Sequence, residues 1–553
     1  TMDSAGITQL CRAAAFDHPT SEITVRETHI SWVILCGDYA YKLKKPVNFG
    51  FLDFSDLALR KHYCEEELRL NRRFSPELYL AVVPVTEGQD GPVMDGAGEA
   101  IDYAVKMRRF DESQLLDSIA ARDGLNKQLV RSIARELARL HAELPRCFPD
   151  PEGEEAGSPA ALQAALRQNF SQLRQYPLRE NEQQLLDAIE PWSRQRYDVL
   201  LPAMQQRVRD GWVIDGHGDD HLGNMAIIDG EVRLFDCIEF NADFRIVDSI
   251  AEVALLDMDL NARGHPGESH RLLMDYLEYR DDFEGLALLD LYRVYFALVR
   301  AKVALLQHST DDPALLDTKA YGEARHYLEI AYRYCQPHQR FLAITYGISG
   351  SGKSTIAGKL VEASGAVRIR SDVERKRLFG LAPEEPSEPR DNATLYSSEM
   401  SRKTFKRLAR LAETILDAGF PVIVDGTFLH RHARNDFQDL AQRLEVAFVI
   451  IHCVADQGKI RDRLKARESD GRSVSEAGIA IMEQQLDQLE PLSEQELQLA
   501  TEVNSEADPD QIWRSLQKWS ESAQGGRDTA GGRLGQQQDR TDEKRNSADQ
   551  GKY

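Results

Sequence analysis

The sequence predicts two fused domains of different fold classes. The first domain is expected to be α+β, with a small antiparallel-sheet lobe and a helical lobe, and the second to be α/β with a parallel sheet. Two observations predict this arrangement. Short segments of alternating apolar and polar residues near the start give way to helical periodicity, and apolar strands alternate with helices after residue 340.

The antiparallel lobe is predicted from the first part of the chain. Alternation and β-branched residues predict strands over residues 22–28, 30–36, 39–47, 79–86 and 101–108. A charged helix over residues 57–73 separates the third of these strands from the fourth. These elements predict a small, largely antiparallel sheet with one helix.

The helical lobe begins near Asn126, after which Leu129, Ile133, Leu137 and Leu140 recur at helical spacing. Helical patterns continue over residues 162–204 and 246–334, and two short strands are predicted over residues 212–215 and 232–236. The lobe is therefore expected to be mostly helical, with a loop bracketed by the two short strands.

A proline-containing segment over residues 336–340 is predicted to be the linker, because helical periodicity ends there and a buried-strand pattern begins. We therefore expect the first domain over residues 1–335 and the second over residues 341–520. Residues 521–553 are rich in Gly, Gln, Asp and Arg and almost free of apolar residues, which predicts a disordered tail.

The composition is that of an ordinary globular protein and disfavours several classes of function. Of the 553 residues 42% are apolar, yet no run of about 18 apolar residues predicts a membrane-spanning helix. Seven scattered cysteines without a CxxC pair predict neither a disulfide framework nor a zinc site. The N-terminal segment lacks the features of a signal peptide, so a cytoplasmic location is expected. The net charge of −22 disfavours a nucleic-acid partner, although a local basic groove would still permit one.

The most specific motif follows the first predicted strand of the second domain. Residues 347–354 read Gly-Ile-Ser-Gly-Ser-Gly-Lys-Ser and fit the pattern G-x-x-x-x-G-K-[ST], between an apolar strand and an amphipathic helix. Backbone N–H groups of such a loop surround phosphate oxygens, and the helix N-terminus adds partial positive charge. The motif predicts a site for ATP and Mg²⁺ made of Gly347, Ser349, Gly350, Ser351, Gly352, Lys353, Ser354 and Thr355.

Two side chains of this motif have separate expected roles. Lys353, predicted on a surface loop, would reach the β- and γ-phosphates. The Ser354 hydroxyl would be a ligand of Mg²⁺.

One carboxylate and three arginines are further candidates in the second domain. Asp425 ends an apolar strand, where it would hold Mg²⁺ or simply cap the strand. Arg463 and Arg467 lie four residues apart on one predicted helix face, and Arg472 follows them. These arginines would close over the phosphates as a lid, or else form a solvated basic face.

These motifs resemble those of a known group of kinases. The segments YGISGSGKST, IRSDVERKRLFG, VIVDGTF and RDRLKAR are similar to segments of P-loop small-molecule and polynucleotide kinases, with gluconate and zeta-toxin-like kinases as relatives. The resemblance covers residues 341–499 and implies that Asp372 is the general base for the acceptor hydroxyl, with Arg375 in contact with the substrate. The alternative is that Ser371 or Asp372 caps a helix that starts near Val373.

A second constellation of polar residues lies in the first domain. Residues 217–224 read His-Gly-Asp-Asp-His-Leu-Gly-Asn, so Asp219 precedes Asn224 by five positions, as in a kinase catalytic loop. Asp219 would accept a hydroxyl proton, while Asn224 and Asp236 would offer hard oxygen ligands to Mg²⁺. The alternative is a metal-binding or turn-rich loop without kinase chemistry.

Residues upstream complete this constellation in the expected order. Lys42 on the third predicted strand and Glu67 on the following helix are expected to form the pair that positions the α- and β-phosphates of ATP. Lys44 points to the same strand face as Lys42, so either lysine would serve, and either could instead face solvent.

The first domain resembles the aminoglycoside phosphotransferase family, which implies a protein-kinase-like fold over residues 38–334. The segment HGDDHLGN carries most of the resemblance, although the family usually has an apolar residue where Asp220 stands. The segment IARELARLHAEL resembles the family's central helix, on which His141 is expected to be structural. The apolar-x-Lys pattern of the family favours Lys42 as the nucleotide lysine.

One departure from the kinase pattern concerns the first strands. No G-x-G-x-x-G occurs between them, and the turn reads Glu-Thr-His over residues 27–29, so the phosphates are expected to be covered differently or not gripped at all. As a whole, the chain resembles bacterial proteins described as bifunctional aminoglycoside phosphotransferase-like and ATP-binding proteins.

The sequence therefore predicts an ATP-dependent phosphotransferase with two kinase-type sites, each acting on a hydroxyl of a small molecule. Acidic residues around HGDD favour a polyhydroxylated or cationic acceptor. Three alternatives stay open: a P-loop kinase or ATPase regulated by an N-terminal pseudokinase or nucleotide sensor, a nucleic-acid end kinase, and a nucleotide-binding interaction protein. Neither the acceptors nor the oligomeric state follow from the sequence.

Overall fold

The computed structural model describes residues 2–20, 22–50, 52–306, 308–387, 392–470, 479–504 and 513–514. The chain divides into two compact units, one of Thr1–Tyr276 and Leu288–Gln336, the other of Leu277–Ala287 and Pro337–Tyr553. The division after Gln336 falls in the segment predicted to be the linker. The grouping of Leu277–Ala287 with the second unit was not anticipated, and the tail predicted over residues 521–553 lies outside the described residues.

A six-stranded antiparallel sheet forms the first lobe of the first unit. Its strands are β1 (Ile23–Glu27), β2 (Ser31–Cys36), β3 (Tyr39–Lys44), β4 (Tyr79–Gly88), β5 (Gly91–Met94) and β6 (Ala100–Arg108), in the order β1-β2-β3-β6-β4-β5. The sheet is preceded by α1 (Ser4–Leu10), and α2 (Leu57–Asn71) crosses between β3 and β4. The central position of β3 and the alternation of its side chains place Lys42 and Lys44 on one face.

The helix α2 begins at a conventional cap and carries a buried polar face. The Asp56 side chain accepts a hydrogen bond of 2.8 Å from the Leu59 N–H. Arg60 and Glu67 on this helix are both fully buried. Buried charges require partners, so α2 is expected to hold other charged groups in place.

The second lobe of the first unit is mostly helical. Its helices are α3 (Leu116–Asp123), α4 (Lys127–Glu143), α5 (Pro159–Leu173), α6 (Glu180–Arg209), α7 (Ser249–Ala262), α8 (Pro266–Arg280), α9 (Leu286–Leu305) and α10 (Lys319–Tyr334). Two antiparallel strand pairs interrupt them, β7 (Val213–Asp215) with β10 (Ile246–Asp248), and β8 (Met225–Ile228) with β9 (Glu231–Leu234). The loop between β7 and β8 carries residues 217–224, and Asp236 follows β9.

A five-stranded parallel sheet forms the centre of the second unit. Its elements are β11 (Phe341–Tyr346), α11 (Lys353–Ser364), β12 (Val367–Arg370), α12 (Ser371–Phe379), α13 (Asn392–Leu395), α14 (Ser398–Asp417), β13 (Val422–Asp425), α15 (Arg431–Arg443), β14 (Ala447–Cys453), α16 (Gln457–Asp470), α17 (Ile479–Gln488), α18 (Glu494–Gln498) and β15 (Ala500–Val503). The strand order is β12-β13-β11-β14-β15. All six residues of β11 are buried, as expected for a central strand covered on both faces.

The predicted fold class is confirmed, and the differences have local causes. The helix predicted over residues 162–204 is broken between α5 and α6, where Pro177 disfavours helix, although α6 itself continues through Pro191 and Pro202. The helix predicted to start near Val373 starts two residues earlier, at Ser371. The short strands β5, β8, β10 and β15 were not predicted. In the described part of the chain, no helix combines the length and apolar character needed to cross a membrane.

Candidate active sites

A buried lysine–glutamate cluster lies between β3 and α2 in the first unit. The Lys42 Nζ is 2.9 Å from Oε1 of Glu67 and also contacts the Asp236 carboxylate. The Lys44 Nζ is 2.7 Å from Oε2 of the same glutamate and contacts Glu239. Glu67 thus bridges both lysines, and Lys42 is the one that reaches Asp236.

The charges in this cluster support one another. Burial disfavours the charged form of Glu67, but Lys42 and Lys44 outweigh it and lower the pKa of Glu67 to about 2. Burial also opposes the charge of Lys44, whereas Glu239 and Glu67 raise its pKa above the ordinary lysine value. Both lysines therefore stay cationic at neutral pH.

The catalytic-loop residues predicted from the sequence lie together. The Asn224 Nδ2 donates a hydrogen bond of 3.0 Å to Oδ2 of Asp219. The His221 Nε2 lies 3.3 Å from the same oxygen, and a guanidinium nitrogen of Arg300 lies 3.6 Å from Oδ1. Although burial opposes its charge, His221 and Arg300 hold the pKa of Asp219 well below its usual range. Asp219 is therefore a carboxylate at neutral pH.

Asp236 has an unusual backbone next to this loop. Its φ of 65° is in the left-handed region, which residues other than glycine seldom adopt, and its N–H donates to Oη of Tyr79 at 3.0 Å. Its side chain is 44% exposed although it contacts Lys42. Strained backbone concentrates at functional sites, and here the strained residue carries a carboxylate that contacts the lysine and stays partly exposed.

A buried glutamate holds the catalytic loop from behind. Oε1 of Glu252, on α7, accepts hydrogen bonds from the N–H groups of His217 at 2.5 Å and Gly218 at 2.8 Å. His141 on α4 lies 3.0 Å from Oε2 of Glu252. Asp220 is also fully buried and, with these two residues, forms a group close enough to share a metal ion. The buried network supports the expectation that His141 is structural.

Replacing Asp220 by asparagine is expected to make the protein more stable at neutral pH. Burial, with added repulsion from Glu252 and Asp219, raises the pKa of Asp220, so the folded chain retains a proton that the unfolded chain releases. Wild-type stability then falls as pH rises above the ordinary Asp pKa, by up to about 1.4 kcal/mol per pH unit. In thermal melts, the Tm advantage of the asparagine variant should grow between about pH 5 and about pH 7. A constant difference would contradict this assignment.

The turn between β1 and β2 contains no glycine. The Thr28 N–H donates to the Ser31 carbonyl at 2.9 Å, and the two hydroxyl oxygens lie 2.8 Å apart. Lys45 adds a contact of 2.6 Å to Glu27. The turn is thus closed by its own side chains and offers no glycine-rich cradle for phosphates.

The loop over residues 347–354 in the second unit has the backbone that its glycines permit. Gly350 and Gly352 have φ values of 83° and 96°, and a Cβ on Gly347 would lie 2.8 Å from the Cys453 carbonyl oxygen. The helix α11 starts directly after the loop, at Lys353. The structure therefore contains a phosphate-binding loop at a helix N-terminus.

The position of Lys353 differs from the expectation of a surface side chain. Lys353 is only 8% exposed, because its Nζ turns back and donates to the Ile348 carbonyl at 2.7 Å. Ser354 and Thr355 are exposed at the start of α11. The lysine charge thus lies inside the loop, where a phosphate would meet it.

Three strand ends bring the predicted side chains of this unit to one cavity of about 120 Å³. The cavity is lined by residues that include Lys353, Ser354, Asp372, Arg375 and Asp425. Ligands of open parallel sheets bind beyond the carboxyl ends of the strands, which is where these residues lie. Phosphate-binding, metal-binding and acceptor candidates therefore converge on one space.

Asp372 is not a helix cap in the structure. The N-cap of α12 is Arg370, and no side chain makes the cap hydrogen bond, so the capping alternative for Ser371 or Asp372 is wrong. Asp372 instead lies in the first turn and lines the cavity. Arg375, one turn further, donates to the Leu395 carbonyl at 3.2 Å and lies above the ring of Tyr396.

The lid residues and one side chain missed by the sequence lie next to the loop. Arg463 on α16 is 3.4 Å from the carbonyl oxygen of Gly350. The side chain of Arg467 and the whole of Arg472 lie outside the described residues. Gln485 on α17 accepts a hydrogen bond of 2.7 Å from the Ser349 N–H, a group that would otherwise face a phosphate. No motif signals this glutamine.

The polar groups of both sites fit ATP and Mg²⁺. Within the described residues, the buried Oδ2 of Asp425 and the buried hydroxyl of Ser351 have no hydrogen-bond partner, and a guanidinium nitrogen of Arg368 lies 4.0 Å from that carboxylate oxygen. A buried carboxylate oxygen that makes no hydrogen bond is a suitable ligand for a closer cation such as Mg²⁺. In the first unit, Asn224 and Asp236 supply the same hard-oxygen chemistry beside Lys42.

Parts of the chain are similar to a known domain family and to solved structures. Residues 342–492 match the AAA domain family. One similar solved structure is amicoumacin kinase hAmiN in complex with AMP-PNP, Ca²⁺ and Ami. The alignment covers 60% of this chain and 94% of the hAmiN chain, with 13% identity and a TM-score of 0.38. Another is a gluconokinase from Sinorhizobium meliloti 1021, whose alignment covers 34% of this chain and 96% of the gluconokinase chain, with 19% identity and a TM-score of 0.23.

Relatives of the whole chain occur in mycobacteria. Over 470 residues the chain is 32% identical to uncharacterized proteins of Mycobacterium tuberculosis and Mycobacterium bovis, an alignment that covers 84% of this chain and 90% of theirs. The predicted kinase-type architecture is confirmed by the two folds and the matched P-loop region. In this chain a kinase-type unit is fused to a P-loop unit. By its identity and coverage, the chain belongs to the family of these mycobacterial proteins.

Proposed function

We propose that the chain is an ATP-dependent phosphotransferase in which each unit transfers the γ-phosphoryl of ATP to a hydroxyl of a small molecule. The observation that carries the proposal is the convergence of Lys353, Asp425 and Asp372 on one cavity. Phosphoryl transfer requires positioning and charge stabilisation, and this set supplies a cation, a metal ligand and a base. Because ATP is the donor, the proposal includes a cytoplasmic location.

The first unit would use its residues in the same three roles. Lys42, oriented by Glu67, would bind the α- and β-phosphates, and Asn224 with Asp236 would hold Mg²⁺. Bound Mg²⁺ would neutralise charge on the phosphate oxygens. Asp219 would accept the proton of the acceptor hydroxyl as that oxygen bonds to the γ-phosphorus.

The second unit would contain residues for the same roles of phosphate binding, metal binding and proton acceptance. Lys353 would leave the Ile348 carbonyl for the β- and γ-phosphates, and Ser354 and Asp425 would hold Mg²⁺. Asp372 would take the acceptor proton and Arg375 would contact the acceptor. Arg463, with Arg467 and Arg472 from the following segment, would close over the phosphates.

A regulatory role for the first unit is the second candidate. Two observations favour it: Lys42 contacts Asp236 directly, and the turn between β1 and β2 has no glycine. In that case, the first unit would bind nucleotide without transfer and the second unit alone would turn over ATP. The full-length chain, incubated with γ-labelled ATP and a metabolite extract, separates the two by whether labelled products depend on Asp219.

Replacing Asp372 by asparagine is expected to lower phosphorylation of the second unit's acceptor by about 10²–10⁴-fold. Asparagine cannot accept the proton, but its shape matches aspartate, so ATP affinity and Tm should stay close to wild type. Steady-state kinetics and thermal melts measure both quantities. Asp417→Asn, at the exposed end of α14, is the matched control. A near-normal rate for the Asp372 variant would contradict the assignment of a base.

A further inference from the structure

The guanidinium of Arg300 lies beside the proposed catalytic base of the first unit. Arg300 is on α9, its nitrogen is 3.6 Å from Oδ1 of Asp219, and 23% of its side chain is exposed. That separation makes an ion pair but is too long for a hydrogen bond. Across the described ranges, the Arg300 guanidinium donates no hydrogen bond to any residue.

Two other arginines of this unit have structural roles and differ from Arg300 in burial and in hydrogen bonding. Arg207 makes two hydrogen bonds of 2.6 and 2.8 Å to the Asp248 carboxylate, and Arg293 makes one of 2.6 Å to Asp257. Both are nearly fully buried and hold helices together. Arg300 lacks such bonds and is partly exposed, so packing does not explain its position.

The remaining charges around Asp219 do not favour a cationic acceptor. The His221 Nε2 lies 3.3 Å from Oδ2 of Asp219, whereas Arg300 lies near Oδ1. Asp259 on α7 is paired with Arg263 at 2.9 Å, and Asp220 is fully buried behind the loop. The acidic residues that suggested a cationic acceptor are therefore paired or buried.

We propose that the acceptor of the first site is an anionic hydroxy compound, and that Arg300 binds its carboxylate or phosphate group. This inference rests on phosphotransfer at that site, as proposed above. A hydroxyl that loses its proton to Asp219 brings the rest of the acceptor beside the guanidinium. The planar fork of arginine binds carboxylate and phosphate with two parallel hydrogen bonds, whereas a cationic group would be repelled.

The transfer itself balances without any further reactant. A bond forms between the acceptor oxygen and the γ-phosphorus, and the bond from that phosphorus to the β–γ bridging oxygen breaks. ADP leaves with the electron pair of the broken bond, and Asp219 takes the hydroxyl proton. Arg300 contributes no atom to the reaction and acts as an acceptor-binding residue.

A test without substitution at Arg300 uses the charge of the acceptor. A bacterial metabolite extract is separated by ion exchange into anionic, neutral and cationic pools. Each pool is incubated with γ-labelled ATP and the full chain carrying Lys353→Ala, which silences the second site. A labelled product should form from the anionic pool, and it should not form when the chain carries Asp219→Asn as well as Lys353→Ala. Label confined to the neutral or cationic pool would overturn the proposal.

Variants of Arg300 then separate acceptor binding from other roles. With the labelled compound purified, Arg300→Gln should lower kcat/KM by about 10–100-fold, mainly through a higher acceptor KM. Arg300→Lys should recover part of this loss. The control is Arg325→Gln, which replaces an exposed arginine of α10 and should behave as wild type. An effect on kcat alone, or an equal rise in the KM for ATP, would assign Arg300 to the γ-phosphoryl instead and overturn the proposal.

Failure of the proposed phosphotransfer at the first site can be distinguished from failure of the role proposed for Arg300. If no pool is labelled although the Lys353→Ala chain binds ATP by calorimetry, the proposed phosphotransfer at the first site is contradicted. If a pool is labelled through Asp219 but carries no anionic acceptor, only the assignment of Arg300 fails.

Discussion

Replacing Lys353 by alanine is expected to abolish ATP turnover by the second unit while leaving the unit folded. The lysine charge lies inside the phosphate-binding loop, where its Nζ donates a hydrogen bond to the Ile348 carbonyl. Removing the charge removes the contact to the β- and γ-phosphates, so the rate should fall by at least about 10²-fold. Turnover is measured in the Asp219→Asn background, where the first unit should be silent.

A matched lysine on the same helix controls for loss of charge in general. Lys359→Ala changes α11 without touching the cavity and should retain activity. Thermal melts of both variants should stay within a few degrees of the wild type, since neither substitution removes a large buried apolar group. Unchanged turnover in the Lys353 variant would show that the loop does not bind the reacting ATP.

Replacing Asp219 by asparagine is expected to suppress transfer by the first unit far more than it weakens ATP binding. Asp219 contacts Asn224, His221 and Arg300, whereas Lys42 contacts Glu67 and Asp236, and this separation is the reason for proposing that Asp219 acts on the acceptor. Loss of a general base lowers the rate by about 10²–10⁴-fold. The product of the first unit should disappear, while calorimetric titration should still show ATP binding.

The contrasting variant is Asp236→Asn. Asp236 contacts Lys42 and would hold Mg²⁺, so this substitution should weaken binding of Mg²⁺-ATP as well as transfer. Equal loss of nucleotide affinity in the two variants would show that the roles are assigned wrongly. If the Lys353→Ala chain still binds ATP but forms no product, the regulatory candidate for the first unit is favoured.

Much of both sites was predictable because spacing along the chain implies position in these folds. The glycine-rich loop could be placed from its strand and helix, and Asp425 from the apolar strand that it ends. In the first unit, the five-residue spacing of Asp219 and Asn224 places both on one loop. The alternation of β3 similarly placed Lys42 and Lys44 on one face, although only the structure shows that Glu67 bridges them.

The residues that were missed come from distant parts of the chain. Arg300 and Gln485 lie on helices whose patterns are set by packing, and no local motif marks them. Glu252 reaches the backbone of the catalytic loop from α7, a contact that spacing does not reveal. The buried position of Lys353 was missed because a lysine in a loop is usually solvated, whereas here a carbonyl draws it inward.

The most direct test of the central claim is a comparison of labelled products from the full-length wild type and three variants. Wild type, Lys353→Ala, Asp219→Asn and the double variant are incubated with Mg²⁺, γ-labelled ATP and a metabolite extract, and products are resolved by mass spectrometry. Two active sites predict that each single variant loses a different product and that the double variant loses both. If Asp219→Asn gives the same products as the wild type, and Lys353→Ala gives none, the claim of two transferring sites is contradicted.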